Sequence, residues 1–298
     1  MQTTARPLHV VLALIALYLI WGSTYLGIRF ALEGGFAPLT MAGIRFLIAG
    51  GLMFAVLRFR GVAAPTRAQW RNAAVMGALL LGLGNGLVSI AQQWVSSGMA
   101  AVAVASAPLW MGLFATLRGE RPGPLEWVGL AIGFIGVLWL NAGSSLTASK
   151  LGLVLLLIAP LAWSFGSIWS RGRDLPSPFM TAASQMLCGG ALMFAAGLLL
   201  GEHVELTPTA KGVWALAYLV VFGSIIGFSA YIWLLRHVRP ALAGSYAYVN
   251  PAIAVLLGMS LAGERFSPTD LVAMGVIVTG VLGITVGKAW RPRVRTRP

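Results

Sequence analysis

Two apolar helices carry aromatic and hydroxyl side chains in matching positions. Trp21 and Tyr25 are four residues apart, as are Trp163 and Ser167, so each pair lies on one face of its helix. The faces of indole and phenol rings attract an ammonium group and contact apolar side chains, which suits amino acids in a site without a carboxylate. The alternative interpretation is that these tryptophans belong to the belt that membrane proteins place at headgroup level.

A pair of helices that align on Pro108 and Pro251 differ in their polar content. Tyr246, Tyr248 and Asn250 of the later helix correspond to small apolar residues of the earlier one. Polar groups in an apolar helix cost free energy unless they pair or line a wet cavity. These three residues therefore either line a cavity or form hydrogen bonds between helices.

Five further residues are candidates for a binding site. Ser106 and Trp110, one turn apart, are placed to form the opposite wall of such a cavity. Asn85 and Ser89 are also one turn apart, in a glycine-rich stretch that is weak enough to bend. Arg45 is an embedded cation that receives a substrate carboxylate, extends outward to the membrane surface, or braces neighbouring carbonyls.

Prolines and glycines indicate where helices bend and where they meet. Pro108, Pro160 and Pro251 free backbone carbonyls inside apolar segments, which predicts hinges or local coordination. Gly-x-x-x-Gly spacings at 129–133 and 283–287 indicate close helix packing, either within the chain or between two copies. We therefore expect a monomer or a weak homodimer.

The chemistry absent from the apolar segments narrows the function. All eight acidic residues and all three histidines fall in predicted loops or at helix ends, so a buried proton relay has no candidate. This favours a facilitator, or coupling through loop groups. Apolar segments without lysine argue against phosphorylated substrates, which leaves neutral or zwitterionic small molecules.

The sequence lacks a catalytic motif, a metal-ligand cluster and a phosphate loop, so we expect no catalytic residue, metal or cofactor, and an integral membrane enzyme is the weaker alternative.

The composition requires a membrane. Hydrophobic residues make up 58% of the chain and charged residues 10%, which is typical of an all-α polytopic membrane protein. A spanning helix needs about 20 apolar residues. The sequence predicts ten spans, near residues 8–30, 38–57, 69–92, 97–117, 124–141, 151–170, 178–200, 212–235, 241–262 and 268–287. The expected location is the cell membrane, as in a bacterial inner membrane.

The net charge of +13 reflects orientation in the bilayer rather than nucleic-acid binding. Most of the 21 basic residues fall on one side of the ten predicted spans. The positive-inside rule then places both termini in the cytoplasm. The basic tail after Lys288 is expected to face anionic lipid, so the partners are a small amino acid-like solute and the bilayer, with no nucleic acid.

The chain contains an internal duplication. Gly119-Glu120-Arg121 recurs as Gly263-Glu264-Arg265, each at a similar distance after a proline. Repeats of 1–143 and 144–298, with five helices each, must cross the membrane in opposite directions. An inverted repeat of this kind predicts alternating access to one central site.

These motifs resemble the EamA-type drug/metabolite transporters over essentially the whole chain. The resemblance rests on Trp21-Gly22-Ser23, Arg45-Phe46, Ser96-Ser97-Gly98-Met99, Pro108-Leu109-Trp110, Tyr248-Val249-Asn250-Pro251 and the repeated Gly-Glu-Arg phrase. It implies a ten-helix carrier of small metabolites. Within the family the chain is most similar to the YddG-type exporters of aromatic and neutral amino acids, and an exporter of another small metabolite or drug is the alternative.

Overall fold

The computed structural model describes residues 7–94, 97–120, 122–141, 150–262 and 268–286, and no strand occurs in these ranges. The helices of the first half are α1 (Pro7–Glu33), α2 (Pro38–Phe59), α3 (Arg67–Ala91), α4 (Ser97–Val104), α5 (Ala107–Leu117) and α6 (Pro124–Asn141). Those of the second half are α7 (Lys150–Ser170), α8 (Pro178–Leu199), α9 (Ala210–His237), α10 (Pro240–Gly244), α11 (Tyr246–Ala262) and α12 (Pro268–Val286).

The two halves match helix for helix. The α2 and α8 helices both contain 22 residues and both begin at a proline, whose missing N–H is tolerated in the first helical turn. The α3 and α9 helices each contain a ten-residue π-helical stretch, Gly77–Gly86 in α3 and Leu219–Phe228 in α9. Because π-helical segments are rare and concentrate at functional sites, their recurrence in equivalent helices draws attention to this region of both halves.

Among the described residues, six helices are long and apolar enough to cross a membrane by themselves, namely α1, α2, α3, α7, α8 and α9. Shorter apolar helices cover Ala107–Leu117, Pro124–Gly136 and Gly275–Ile284. Large apolar side chains on the outside of the bundle, among them Leu8, Leu19 and Leu157, are more than half exposed. The protein is therefore a multi-pass membrane protein.

Two of the predicted runs are interrupted rather than continuous. The run at 97–117 forms α4 and α5, and the run at 241–262 belongs to α10 and α11. Pro108 lies in the first turn of α5, where no hydrogen bond is lost, directly after the break between α4 and α5. Pro160 and Pro251 do lie inside helices, in α7 and α11.

Glycines allow equivalent helices of the two halves to pack closely. A Cβ atom on Gly280 of α12 would lie 2.4 Å from the backbone nitrogen of Gly133 in α6. This contact is internal to the chain, so at Gly133 the close packing predicted from the spacing joins α6 to α12. Gly287, Arg121, the phrase Gly263-Glu264-Arg265 and the predicted repeat boundary lie outside the described residues.

Candidate functional site

A narrow cavity of about 70 Å³ lies among α1, α2, α3, α7, α9 and α11, and the facing ends of α4 and α5 reach it with Val104 and Ala107. This volume holds only a few water molecules, so a larger solute requires the surrounding helices to separate. Both halves contribute to its wall. The predicted site residues that line it are Trp21, Tyr25, Arg45, Asn85, Trp163, Tyr246 and Asn250, together with Pro160 of the predicted hinges.

An aromatic cluster surrounds the cavity. Trp21 is at the centre of this cluster. The centroid of its ring lies 5.5 Å from that of Trp163, 5.3 Å from that of Tyr231 and 4.7 Å from that of Tyr246. The Trp21 ring meets the Trp163 and Tyr246 rings edge to face, the arrangement that ring quadrupoles favour. We define the aromatic cluster as Trp21, Phe46, Trp163, Phe228, Tyr231 and Tyr246.

The π-helical stretch of each half contacts the tryptophan of the other half. Trp21 Nε1 donates to the Gly223 carbonyl at 3.0 Å, and a Cβ on Gly227 would lie 2.4 Å from that same nitrogen. In the other half, a Cβ on Gly84 would lie 2.8 Å from Cε3 of Trp163. Each indole therefore packs on a glycine in the π-helical stretch of the opposite half.

Tyr231 of α9 is a residue that sequence reasoning missed. Its side chain is fully buried, its hydroxyl accepts the Trp163 Nε1 proton at 2.9 Å, and it is 2.6 Å from Ser167 Oγ. Ser167 also donates to the Trp163 carbonyl, so it supports the cavity wall from behind rather than lining it. The available signal was a tyrosine inside the predicted span at 212–235, although its place near the end of that span also fits an interfacial belt.

Arg45 enters the cavity wall from α2 with 3% of its surface exposed. Its Nε donates to Ser224 Oγ at 2.7 Å, and its guanidinium carbon lies 4.6 Å from the Phe46 ring centroid. Gly223 leaves room for Nη2, since a Cβ there would lie 2.7 Å from that atom. Within the described part of the chain, Arg45 has no carboxylate partner. The guanidinium is therefore anchored by a hydroxyl, while its charge lacks a counter-ion among the described residues.

Two asparagines bring amide groups to the same cavity. The Oδ1 atoms of Asn85, in the π-helical stretch of α3, and of Asn250, in α11, are buried and have no hydrogen-bond partner in the part of the chain that the structure describes. Asn250 is 2% exposed, and its side chain interacts with the Tyr25 hydroxyl. Ser89 does not line the cavity, because its hydroxyl turns back to the Asn85 backbone carbonyl at 3.0 Å.

Tyr248 lies away from the cavity, which corrects the expectation that it lines the wall beside Tyr246. Residues two apart on an α-helix are separated by roughly 200° around the axis, so they face opposite sides. The Tyr248 hydroxyl donates to the Leu130 carbonyl of α6 at 3.0 Å. Ser106, which donates to the Ala103 carbonyl, and Trp110, which is half-buried, are likewise absent from the cavity wall.

The two ends of the bundle differ in charge. One end has a recess of about 380 Å³ whose wall includes Arg118, Arg171, Arg173 and Arg236. We call it the arginine-rich end. There Arg118 Nη1 donates to the Ile168 carbonyl at 2.7 Å, and Arg171 pairs with Glu120 at 3.2 Å, so both arginines join the two halves.

The opposite end has a wider recess of about 990 Å³. The Glu202 carboxylate accepts from the backbone nitrogen of Thr40 at 2.7 Å, and Lys211 pairs with Glu33 at 3.0 Å. These contacts also join the two halves. Within the described ranges, no group of three or more His, Cys, Asp or Glu residues is placed to hold a metal ion.

Comparison with known proteins identifies a family. The family described as "EamA-like transporter family" matches residues 8–142 and 150–286. The uncharacterized inner membrane transporter YedA of Escherichia coli K12 is 47% identical over 277 residues, which covers 93% of this chain and 90% of that protein. A probable amino-acid metabolite efflux pump of the same strain is 25% identical over 309 residues, 96% of this chain and 97% of that protein.

A solved crystal structure shares the fold. Its TM-score is 0.77, with 20% sequence identity, and the match covers 95% of this chain and 99% of the other.

Proposed function

Because the chain belongs to the EamA-like transporter family, we propose that it exports small zwitterionic solutes, chiefly aromatic and other neutral amino acids. The observation that carries the proposal is the composition of the central cavity. It combines the buried, counter-ion-free Arg45 with an aromatic cluster, and no carboxylate is found in its described wall. An arginine fork suits a substrate carboxylate, and ring faces suit both an ammonium group and an apolar side chain.

The route is alternating access around this cavity through ten spans in two inverted repeats, with both termini in the cytoplasm. Contacts at and beyond the helix ends support this topology. Glu120 meets Arg171 at the arginine-rich end and Glu33 meets Lys211 at the opposite end, as ten crossings require. The positive-inside rule assigns the arginine-rich end to the cytoplasm. Contacts join the two halves at both ends of the bundle. In this mechanism, breaking the contacts at one end would open the cavity to that side of the membrane.

The names of two relatives support the location and the export direction. YedA is named an inner membrane transporter, and the more distant relative is named a probable amino-acid metabolite efflux pump. We therefore place this protein in the inner membrane and assign it an export direction.

Counterflow in proteoliposomes tests the function. The purified protein is reconstituted with an unlabelled neutral amino acid inside and the labelled one outside, without an imposed ion gradient. We expect saturable uptake that protein-free vesicles lack. If saturable exchange is absent for aromatic and aliphatic neutral amino acids alike, the proposed substrate class is wrong.

Tryptophan variants link transport to the cavity. Trp21→Ala and Trp163→Ala remove side chains that are each 9% exposed, and we expect about a tenfold or larger loss of exchange because the aromatic wall collapses. Trp214→Ala is the matched control, since that tryptophan is 76% exposed on the outside of the bundle. Equal exchange rates for Trp21→Ala and Trp214→Ala would place the site elsewhere.

A further inference from the structure

The polar groups of the central cavity differ in kind. Arg45 offers only donors, because a guanidinium carries N–H groups and no acceptor. The Nε edge is occupied by Ser224 at 2.7 Å, which leaves the terminal Nη1 and Nη2 pair for another group. Two parallel N–H bonds from that pair match the two oxygens of a carboxylate.

The two asparagines offer acceptors. The amide oxygens of Asn85 and Asn250 are buried in the cavity wall and lack partners. A buried acceptor without a partner is unfavourable, and a bound donor would recover that cost. Asn250 lies on α11 and Asn85 on α3, so the two halves supply one oxygen each.

We infer that the cavity binds both charged groups of a zwitterion. Arg45 binds the carboxylate, and the amide oxygens of Asn85 and Asn250 bind the ammonium group. This inference rests on the proposed function and sharpens its substrate class to α-amino acids in which both groups are free. The aromatic cluster then contacts the side chain. Amines without a carboxylate, carboxylic acids without an amine and N-acylated amino acids leave one set of polar groups unpaired, and a site built to hydrogen-bond its substrate rejects such analogues strongly.

Inhibition of counterflow by matched analogues tests the inference on the unmodified protein. The probes are phenylalanine, phenethylamine, 3-phenylpropionate and N-acetylphenylalanine, which share the ring and differ only in the two polar groups. We expect each analogue to inhibit at least about tenfold more weakly than phenylalanine. Phenethylamine or 3-phenylpropionate inhibiting as strongly as phenylalanine would overturn the inference while leaving amino-acid transport intact. Failure of phenylalanine and of every other neutral amino acid to exchange would instead refute the proposed function.

Amide variants assign the ammonium half of the site. Asn250→Leu keeps the approximate shape and removes the acceptor, so we expect the preference for phenylalanine over 3-phenylpropionate to fall about tenfold, with the preference over phenethylamine retained. Gln185→Leu is the matched control. Gln185 Oε1 is also buried without a partner, but Gln185 does not line the cavity. If Asn250→Leu leaves both preferences unchanged, or if Gln185→Leu alters them equally, Asn250 does not bind the ammonium group. Asn85→Leu provides the same test in the other half.

Discussion

The two halves of the chain supply equivalent aromatic residues but different polar ones. Trp21 packs on Gly227 and Trp163 packs on Gly84, so each half holds the tryptophan of the other. The indole nitrogens differ in their partners. The Trp21 N–H binds a backbone carbonyl of a π-helical stretch, whereas the Trp163 N–H binds the Tyr231 hydroxyl. The scaffold is thus repeated while the hydrogen bonding that locks it is not.

The difference is largest between α2 and α8. Arg45 of α2 enters the cavity, and its counterpart in α8, Gln185, donates instead to Met76 Sδ at 2.9 Å outside the cavity. A carrier that alternates between two mirror-like conformations needs a repeated scaffold. A solute whose two ends differ chemically requires a cavity that is charged at one end only. We propose that the repeated scaffold serves the alternating motion and that the unmatched Arg45 serves substrate recognition.

Replacing Arg45 should have the largest effect on transport. Arg45→Gln removes the proposed charged double hydrogen bond to the substrate carboxylate, and with each such bond contributing roughly 1.5–3 kcal/mol we expect about a 100-fold or larger loss of counterflow. Arg45→Lys should retain part of the activity, because the charge remains while the fork is lost. Counterflow rates at equal reconstituted protein give the measurement. Loss of less than threefold in Arg45→Gln would remove Arg45 from the binding site.

The tryptophan and glycine contacts should have an intermediate effect. An added methyl group in Gly227→Ala meets Trp21 Nε1 at 2.4 Å and in Gly84→Ala meets a ring carbon of Trp163 at 2.8 Å. Overpacking of this kind destabilises by about 1–3 kcal/mol, and Gly227→Ala should be the worse because it also displaces a hydrogen-bonded nitrogen. Thermal unfolding in detergent measures the difference.

The control for these variants is Gly51→Ala, since a Cβ at that position has nothing within 4 Å. We expect it to melt like the unmodified protein or slightly higher, because alanine favours helix. A Gly227→Ala protein that melts with Gly51→Ala would show that the indole moves aside freely.

The sequence predicted the membrane class and much of the cavity wall. Trp21, Tyr25, Trp163, Tyr246 and Asn250 were identifiable because polar and aromatic groups in apolar runs need partners. All five line the cavity. Their functions in transport remain predictions.

Other parts of the site could not be read from the sequence. Tyr248 is grouped with Tyr246 because both align with small apolar residues of the earlier helix, although their positions two apart put them on opposite faces of α11. The π-helical stretches arise from backbone hydrogen bonding that has no residue signature beyond glycine. Tyr231 was missed because its role depends on Trp163, 68 positions earlier in the chain. Long-range contacts of this kind follow from packing rather than from periodicity.

The ion pairs that join the halves should have the smallest effect. Glu120 pairs with Arg171 at the arginine-rich end, and Glu33 pairs with Lys211 at the opposite end; the carboxylate side chains are 47% and 42% exposed. Ion pairs this accessible contribute roughly 0–1 kcal/mol and weaken as salt rises. We expect Glu120→Gln and Glu33→Gln each to lower the melting temperature slightly, with the deficit disappearing at high ionic strength.

The same two variants measure how the halves are held together. If helix packing at the tryptophans and glycines dominates, both glutamine variants must melt well above Gly227→Ala at any salt concentration. A Glu120→Gln protein as unstable as Gly227→Ala would mean that the charged contacts at the arginine-rich end, rather than the aromatic cluster, join the repeats. Since Arg118 still donates to the Ile168 carbonyl in that variant, the first outcome is the one the structure favours.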